Sequence, residues 1–277
     1  MKTLGEILQL STTHLKEKKI PRARREAEEI VSFALKIKRL DLYLQYDRPL
    51  EEQELTLCRQ LLKRASSGEP LEYIFGEKEF YHCQFCVTPK VLIPRQETEI
   101  LLDIVVHEAK PGVAWDVCCG SGCLGIALKK AVPSVNVTLS DISQEAIELA
   151  KKNAERNHVD VFFETGDLLT PFKGKKADLI LCNPPYISQK EFESLDFSVR
   201  NFEPKIALIG GESGLEYYRR LAEDLPRFLN PGAKIYFEIG ASQGGSVLNI
   251  FSASCWRSKQ IRKDWSNLDR FFSLEFE

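Results

Sequence analysis

The sequence predicts an α/β protein whose mainly parallel sheet follows a small helical bundle. From residue 96 onward, short apolar strand patterns alternate with single helices. Such alternation requires right-handed crossovers and a parallel sheet covered on both faces. Residues 1–76 show apolar residues at helical spacing and no strand pattern. Between these two domains, residues 77–95 are predicted to form a linking β-hairpin.

Three apolar stripes predict the helices of the N-terminal domain. They are Leu4, Ile7 and Leu8; Ala23, Ala27, Ile30, Val31 and Ala34; and Leu55, Cys58, Leu61 and Leu62. Pro21, Pro49 and Pro70 fall between the stripes as helix breakers. In the hairpin that follows, Tyr81–Val87 is predicted as a strand, and Thr88-Pro89-Lys90 as the turn.

The third domain, residues 96–277, contains seven predicted strands and five predicted helices. The strands are 113–117, 135–140, 161–164, 177–182, 233–239, 256–262 and 270–276, and the helices are 98–108, 121–131, 143–157, 214–228 and 242–251. Ser143 is the expected N-cap of the third helix. The C-terminal strand is expected to run antiparallel to the rest of the sheet.

Charge and composition exclude several classes of protein. The net charge of −2 lacks the basic surplus of a nucleic-acid-coating protein, and 43% hydrophobic residues exclude global disorder. No apolar run is long enough for a membrane span, and Gly5, Glu6 and Gln9 interrupt the start where a signal peptide would be apolar. We therefore expect a cytoplasmic monomer with cysteines as thiols. Cys83 and Cys86 have zinc-like spacing but no second pair, so we expect no metal.

Three strand ends carry residues suited to an adenosine-containing cofactor. The first strand runs into Asp116-Val117-Cys118-Cys119-Gly120-Ser121-Gly122, where glycines let the backbone approach a ligand closely. Asp141 ends the next strand, and a carboxylate there can accept both ribose hydroxyls. Asp167 follows the third strand, placed to meet an adenine ring with Leu168 packing beside it.

The fourth strand ends in Asn183-Pro184-Pro185-Tyr186, which in isolation is equally typical of an ordinary stiff turn. At this position its residue types suit an amide or aryl NH₂ group. Two acceptors aimed at the two hydrogens favour the pyramidal nitrogen of a methyl-transfer transition state. Asn183 offers a side-chain oxygen, Pro184 offers a carbonyl of fixed direction, and Tyr186 offers a ring to pack the planar group.

With these motifs, the chain resembles the HemK/PrmC family, the S-adenosylmethionine-dependent methyltransferases that modify a glutamine side chain of peptide chain release factors. The resemblance spans nearly the whole chain. It includes Gly76-Glu77-Lys78-Glu79-Phe80, Leu92-Ile93-Pro94-Arg95, Asn183–Tyr186, Arg200, Phe202-Glu203-Pro204 and Gly214-Leu215. The family usually has glycine at the position of Cys118 and a small polar residue at that of Cys119. A residue with a Cβ at position 118 is strained if the backbone there has positive φ.

The resemblance implies a Rossmann-like class I methyltransferase that binds S-adenosyl-L-methionine and releases S-adenosyl-L-homocysteine. It implies cofactor contacts at Cys118, Cys119, Gly120, Ser121, Gly122, Asp141, Asp167, Leu168 and Asn183. It also implies that Asn183, Pro184 and Tyr186 are catalytic, and that these three with Pro185 bind the glutamine of a Gly-Gly-Gln motif in release factors, without direct binding of nucleic acid. Two alternatives stay open: the same chemistry on a ribosomal-protein glutamine or a nucleic-acid amino group, and a catalytically silent binder.

Overall fold

The computed structural model describes residues 2–277, which form two compact units. One unit contains residues 2–76 together with Asp196–Phe202, and the other contains Glu77–Leu195 and Glu203–Glu277. The segment Asp196–Phe202 therefore packs with the helical unit, although it lies within the sequence range of the third domain. No helix among residues 2–277 is both long and apolar enough to cross a membrane.

The first unit is helical throughout its N-terminal segment. Its helices are α1 (Leu4–Glu17), α2 (Ala23–Leu35), α3 (Asp41–Leu44), α4 (Glu52–Ala65) and α5 (Leu71–Phe75). Helix α1 begins at a capping box in which Thr3 and Glu6 bond reciprocally to each other's backbone N–H groups. The predicted stripes meet in one core, where Leu4, Leu8 and Ile30 are fully buried.

The hairpin consists of β1 (Glu77–Phe80) and β2 (Cys83–Cys86), and its turn lies at Tyr81 and His82. The predicted turn at 88–90 is therefore wrong, and the predicted strand Tyr81–Val87 is shortened to Cys83–Cys86 because its first two residues form the turn. Both turn residues have positive φ, 44° and 59°, the conformation that a two-residue hairpin turn requires. Neither is glycine, which is why no turn is predicted there from the amino-acid sequence.

The second unit contains the large sheet and the remaining helices. Its strands are β3 (Gly112–Val117), β4 (Val135–Asp141), β5 (Phe162–Thr165), β6 (Ala177–Cys182), β7 (Leu229–Glu238), β8 (Trp256–Lys263) and β9 (Asp269–Phe276). The later helices of the chain are α6 (Gln96–Glu108), α7 (Cys123–Ala131), α8 (Gln144–Arg156), α9 (Gln189–Phe192), α10 (Phe197–Phe202), α11 (Glu216–Asp224) and α12 (Gly244–Ile250). Helix α10 belongs to the first unit. The predicted helix 214–228 is shorter, since Pro226 falls in a 3₁₀ turn, Leu225–Phe228.

The strand order is β5-β4-β3-β6-β7-β9-β8, and only β9 runs against the others. The predicted parallel sheet with an antiparallel C-terminal strand is confirmed. Successive strand residues point to opposite faces, so Ala114 packs in a core cluster with α6, α7 and α8, whereas Trp115 packs with α11 and α12. These layers leave the carboxyl ends of the parallel strands free to form a site.

The hairpin packs against α8, whose two asparagine side chains take the place of a third strand. Asn153 accepts from the Cys86 N–H at 2.6 Å and donates to the Cys86 carbonyl at 3.1 Å. Asn157 bonds to the N–H and carbonyl of Gln84 in the same way, at 3.1 and 2.8 Å. Asn153 also donates to the Ser121 carbonyl at 2.9 Å. The hairpin is thus fixed to the second unit by backbone-like hydrogen bonds.

Candidate active site

The ends of three neighbouring strands meet at one edge of the sheet. Val117, the last residue of β3, pairs with Ser140 of β4 and with Cys182 of β6. The chain leaves β3 toward β4 and β5 and then returns to β6 on the other side, so β3 borders the topological switch point. Ligands of open α/β sheets bind beyond the strand ends at such a point.

A cleft with about 950 Å³ of empty space, part of it open to solvent, lies at this edge. It brings together nine of the predicted site residues: Cys118, Cys119, Gly120, Ser121, Asp141, Asp167, Leu168, Asn183 and Pro185. Gly122, Pro184 and Tyr186 do not line it. The cleft is also lined by residues that the sequence did not single out, such as Thr98, Ile142 and Tyr217.

The loop after β3, residues 118–122, is called the glycine loop below. It bends through three residues with positive φ: Cys118 at 59°, Gly120 at 53° and Gly122 at 79°. A Cβ added at Gly120 would meet no protein atom within 4 Å, so this backbone faces the open cleft. Gly122 lies beneath the loop as the N-cap of α7, where a Cβ would come within 2.7 Å of Leu139. One glycine therefore leaves room for a ligand and the other leaves room for the core.

Asp116 is the most deeply buried acid at the cleft, with 1% of its surface exposed. One carboxyl oxygen accepts from the Gly125 N–H at 2.8 Å, whereas Oδ1 has no partner within the protein. Burial raises the pKa of Asp116 to about 7, although the Gly125 hydrogen bond lowers it. An orphaned acceptor at this depth suits a cationic or N–H-bearing ligand.

Asp141 ends β4 and is held by two backbone groups. Its oxygens accept from the Gly120 N–H and the Ser143 N–H, each at 2.9 Å. Ser143 in turn is the N-cap of α8, as the sequence predicts. Burial raises the pKa of Asp141, while these hydrogen bonds oppose the rise. Each oxygen keeps a free lone pair, so the carboxylate can still accept hydroxyl groups such as those of a ribose.

Asp167 and Leu168 form another wall of the cleft. Leu168 is buried with a φ of 49°, which turns the chain back over the cleft. Asp167 forms an ion pair with Arg220 of α11, and Arg220 lies 5.8 Å from the centre of the Tyr217 ring. Tyr217 itself lines the cleft, and burial raises the pKa of its phenol. These residues provide apolar and aromatic surface suited to a flat ring.

The segment Asn183–Tyr186 continues directly from β6. Asn183 and Pro185 line the cleft, and Pro184 and Pro185 are buried. Tyr186 is half-buried beside the cleft, and its phenol donates to the Glu238 carboxylate at 3.1 Å. The stiff segment thus lies at the mouth of the site, on the same edge as the glycine loop.

Sequence reasoning missed the residues that support this segment from β7 and beyond. Glu238 is the last residue of β7, and Gln243 precedes α12 and donates to the Tyr186 carbonyl at 2.8 Å. The available signal was position: Glu238 ends the strand next to β6, where the same strand-end rule applies.

Four cysteines lie near the cleft, namely Cys118, Cys119, Cys123 and Cys182. Burial raises the pKa of Cys119 and Cys182 well above that of a free thiol, which keeps both protonated. In residues 2–277, no three His, Cys, Asp or Glu side chains are arranged as metal ligands. The residues that line the cleft offer a ligand hydrogen bonds and packing surface.

The fold and the cleft define a class I methyltransferase. Two family models match the chain, the PrmC N-terminal domain over residues 6–76 and the methyltransferase small domain over residues 96–198. A solved methyltransferase from Pyrococcus furiosus shares the fold with a TM-score of 0.53 and 18% identity, over 80% of this chain and 98% of that one.

Curated relatives narrow the class to one family. The release factor glutamine methyltransferase of Geobacter sulfurreducens is 39% identical over 269 residues, which is 97% of this chain and 95% of the relative. That of Chlamydia trachomatis serovar L2 is 43% identical over 277 residues, 98% and 94% of the two chains. The chain belongs to the release factor glutamine methyltransferase family, and the membership predicted from its motifs is confirmed.

Proposed function

We propose that this enzyme transfers a methyl group from S-adenosyl-L-methionine to the side-chain nitrogen of the glutamine in the Gly-Gly-Gln motif of a peptide chain release factor, leaving S-adenosyl-L-homocysteine. The observation that carries the proposal is the convergence of Asn183 and the glycine loop on one cleft. Release factors work on ribosomes, so we place the reaction in the cytoplasm. We expect no membrane partner, and the net charge of −2 leads us to expect no direct binding of nucleic acid.

The cleft residues fit the cofactor. The protein backbone at Gly120 is open to the cleft and admits a bulky ligand, and Asp141 has lone pairs for the ribose hydroxyls. The unpartnered Oδ1 of Asp116 is available to the amino-acid end, and Leu168 and Tyr217 offer surface for the adenine. When bound, the cofactor supplies a methyl group carried on a sulfonium sulfur, an electrophile that needs no metal. Formation of the new N–C bond breaks the S–C bond, and the amide nitrogen releases one of its two protons to solvent.

The protein's part is to make a poor nucleophile react. The nitrogen lone pair of a glutamine amide is delocalised, and it becomes available only when the NH₂ group pyramidalises. The Asn183 side-chain oxygen and the Pro184 carbonyl are proposed to accept the two amide hydrogens. Since Pro184 and Pro185 fix their own φ angles, the acceptor direction is set before the substrate arrives. The Tyr186 ring would pack the plane of the amide.

The test is methylation of a purified release factor with labelled cofactor, followed by mass spectrometry of the modified residue. We expect one label on the Gly-Gly-Gln glutamine and none on a factor in which that glutamine is alanine. Label on a ribosomal-protein glutamine or a nucleic-acid amino group instead would establish an alternative target. No label in any of these would overturn the proposal.

Asn183→Ala tests the role of the motif. We expect kcat to fall by about 100-fold or more, because one of the two acceptors is lost and the amide is no longer held in line. Asn230→Ala is the matched control, since its side chain bonds to Asp178, whose acceptor oxygen lies 2.8 Å away at the opposite end of the sheet. Unchanged kcat in Asn183→Ala, with cofactor affinity retained, would contradict the assignment.

A further inference from the structure

Tyr186 is held at both ends, by the last residue of β7 and by a residue of the loop between β7 and α12. Its phenol donates to Oε1 of Glu238 at 3.1 Å. Its main-chain carbonyl accepts from Nε2 of Gln243 at 2.8 Å. The motif gives no hint of either contact, because Glu238 and Gln243 lie more than fifty positions further along the chain.

Glu238 is buried at 2% exposure, and each of its acceptors is engaged. Besides the Tyr186 phenol, the carboxylate accepts from Thr98 Oγ1 at 2.6 Å, and its main-chain carbonyl accepts from Tyr218 at 2.8 Å. A buried carboxylate is a poor choice for stability alone, since an apolar residue of similar volume costs less to bury. Its hydrogen bonds instead give it a fixed position from which to hold the phenol.

Gln243 uses its whole amide in the same task. Nε2 donates to the carbonyls of Tyr186 and Gly214, and Oε1 accepts from the Gly240 N–H at 2.9 Å. Gly214 has a φ of 77°, and a Cβ there would lie 2.3 Å from the Tyr186 carbonyl oxygen and 2.9 Å from the Gln243 amide. The close approach of these three backbone and side-chain groups therefore depends on a glycine.

We infer that Glu238 and Gln243 are positioning residues that set the substrate-facing geometry of the Asn183–Tyr186 segment. The two prolines fix their own φ, so Tyr186 is the first residue after them whose φ is free to vary. Gln243 holds its backbone and Glu238 holds the far end of its side chain, which together fix the position of the ring. The inference rests on the proposed function, because it assigns a purpose to the fixed ring.

The experiment is a double-mutant cycle with Glu238→Leu, Tyr186→Phe and their combination. Leucine at 238 has a similar volume but neither accepts nor donates, so the Tyr186 phenol and the Thr98 hydroxyl both lose their partner at this residue. Phenylalanine at 186 removes the phenol and keeps the ring. Tyr236→Phe is the matched control, because it also removes a tyrosine–glutamate hydrogen bond from β7, to Glu108 at 2.8 Å, and neither Tyr236 nor Glu108 lines the cleft.

Each variant is measured for kcat and KM toward a release factor, cofactor Kd and Tm. We expect Glu238→Leu and Tyr186→Phe each to lower kcat by about 10- to 100-fold, with cofactor Kd unchanged. The double variant should be no slower than the slower single one, because both changes remove the same contact. Tyr236→Phe should lower Tm without lowering kcat.

Multiplicative losses of kcat in the double variant, or wild-type kcat in Glu238→Leu, would overturn the inference. If Glu238→Leu does not fold, Tyr186→Phe decides, and wild-type kcat there refutes the role of the phenol. Gln243→Glu tests the second hold, since it keeps the acceptor for Gly240 and loses both donors; it should lower kcat with KM for cofactor unchanged. Failure of the wild-type enzyme to label any release factor would instead refute the proposed function.

Discussion

Cys118 occupies a backbone conformation that favours glycine, and replacing it tests this part of the active-site loop. Its φ of 59° lies in the left-handed region. There the Cβ of an L-residue crowds the backbone at a cost of about 1–2 kcal/mol. The substitutions Cys118→Gly and Cys118→Ala both delete the thiol, and only the first also deletes the Cβ. The difference in stability between these two variants therefore contains the strain of the Cβ, together with the flexibility that glycine adds to the unfolded chain.

The expected magnitude follows from two opposing effects. Removing the Cβ relieves about 1–2 kcal/mol of strain. Glycine also makes the unfolded chain more flexible, which lowers stability by about 0.5–1 kcal/mol relative to alanine. Cys118→Gly should therefore be as stable as Cys118→Ala or more stable by about 1 kcal/mol. At an ordinary position the order is reversed.

Cys182 provides that ordinary position, because it lies at the end of β6 in the same unit and has no positive φ. There glycine should be less stable than alanine by about 1 kcal/mol. All four variants are compared by thermal unfolding, where ~1 kcal/mol corresponds to about 2–4 °C for a chain of this size. If Cys118→Gly proves less stable than Cys118→Ala by the margin seen at Cys182, the argument from strain is wrong.

Two further predictions concern the same edge of the sheet. Burial raises the pKa of Asp116 from 3.8 to about 7. Between those pH values the folded state holds a proton that the unfolded chain has released, so stability from this group falls as pH rises, by about 1.4 kcal/mol per pH unit. Asp116→Asn should remove that slope in urea unfolding at about pH 5, 6 and 7, and parallel curves for variant and wild type would refute it. Gly122→Ala should destabilise by about 2–4 kcal/mol through positive φ and the clash with Leu139. Gly174→Ala has the same φ of 79° in open space, so an equal Tm loss in both would rule out the clash.

The sequence predicted most of the second unit because its signals are local. Helix α8 is an example, since Ser143 marks its start and the apolar spacing marks its buried face. The hairpin was misplaced because its turn is made by Tyr81 and His82, which adopt positive φ without being glycine or asparagine. Thr88-Pro89-Lys90 was the stronger turn signal by composition, yet β2 has already ended before it.

The residues of the candidate site also fall into two groups, those that the sequence predicts and those that it does not. Asp141 ends a strand and Asn183 follows one directly, so the sequence places both at the sheet edge without knowledge of any contact. Glu238 and Gln243 act on Tyr186 across a distance of more than fifty residues in the chain. Such partners depend on which strands are neighbours, and only the assembled sheet reveals that β7 lies beside β6.

Asn153 of α8 is a residue at which one chemical change would affect two parts of the molecule. A two-stranded sheet alone is marginal in water, and here one side-chain amide completes it while also bonding to the Ser121 carbonyl of the glycine loop. Slow chemical conversion of that amide to a carboxylate would turn both of its donor contacts into repulsions between oxygens. That one reaction would then loosen the hairpin and the glycine loop together.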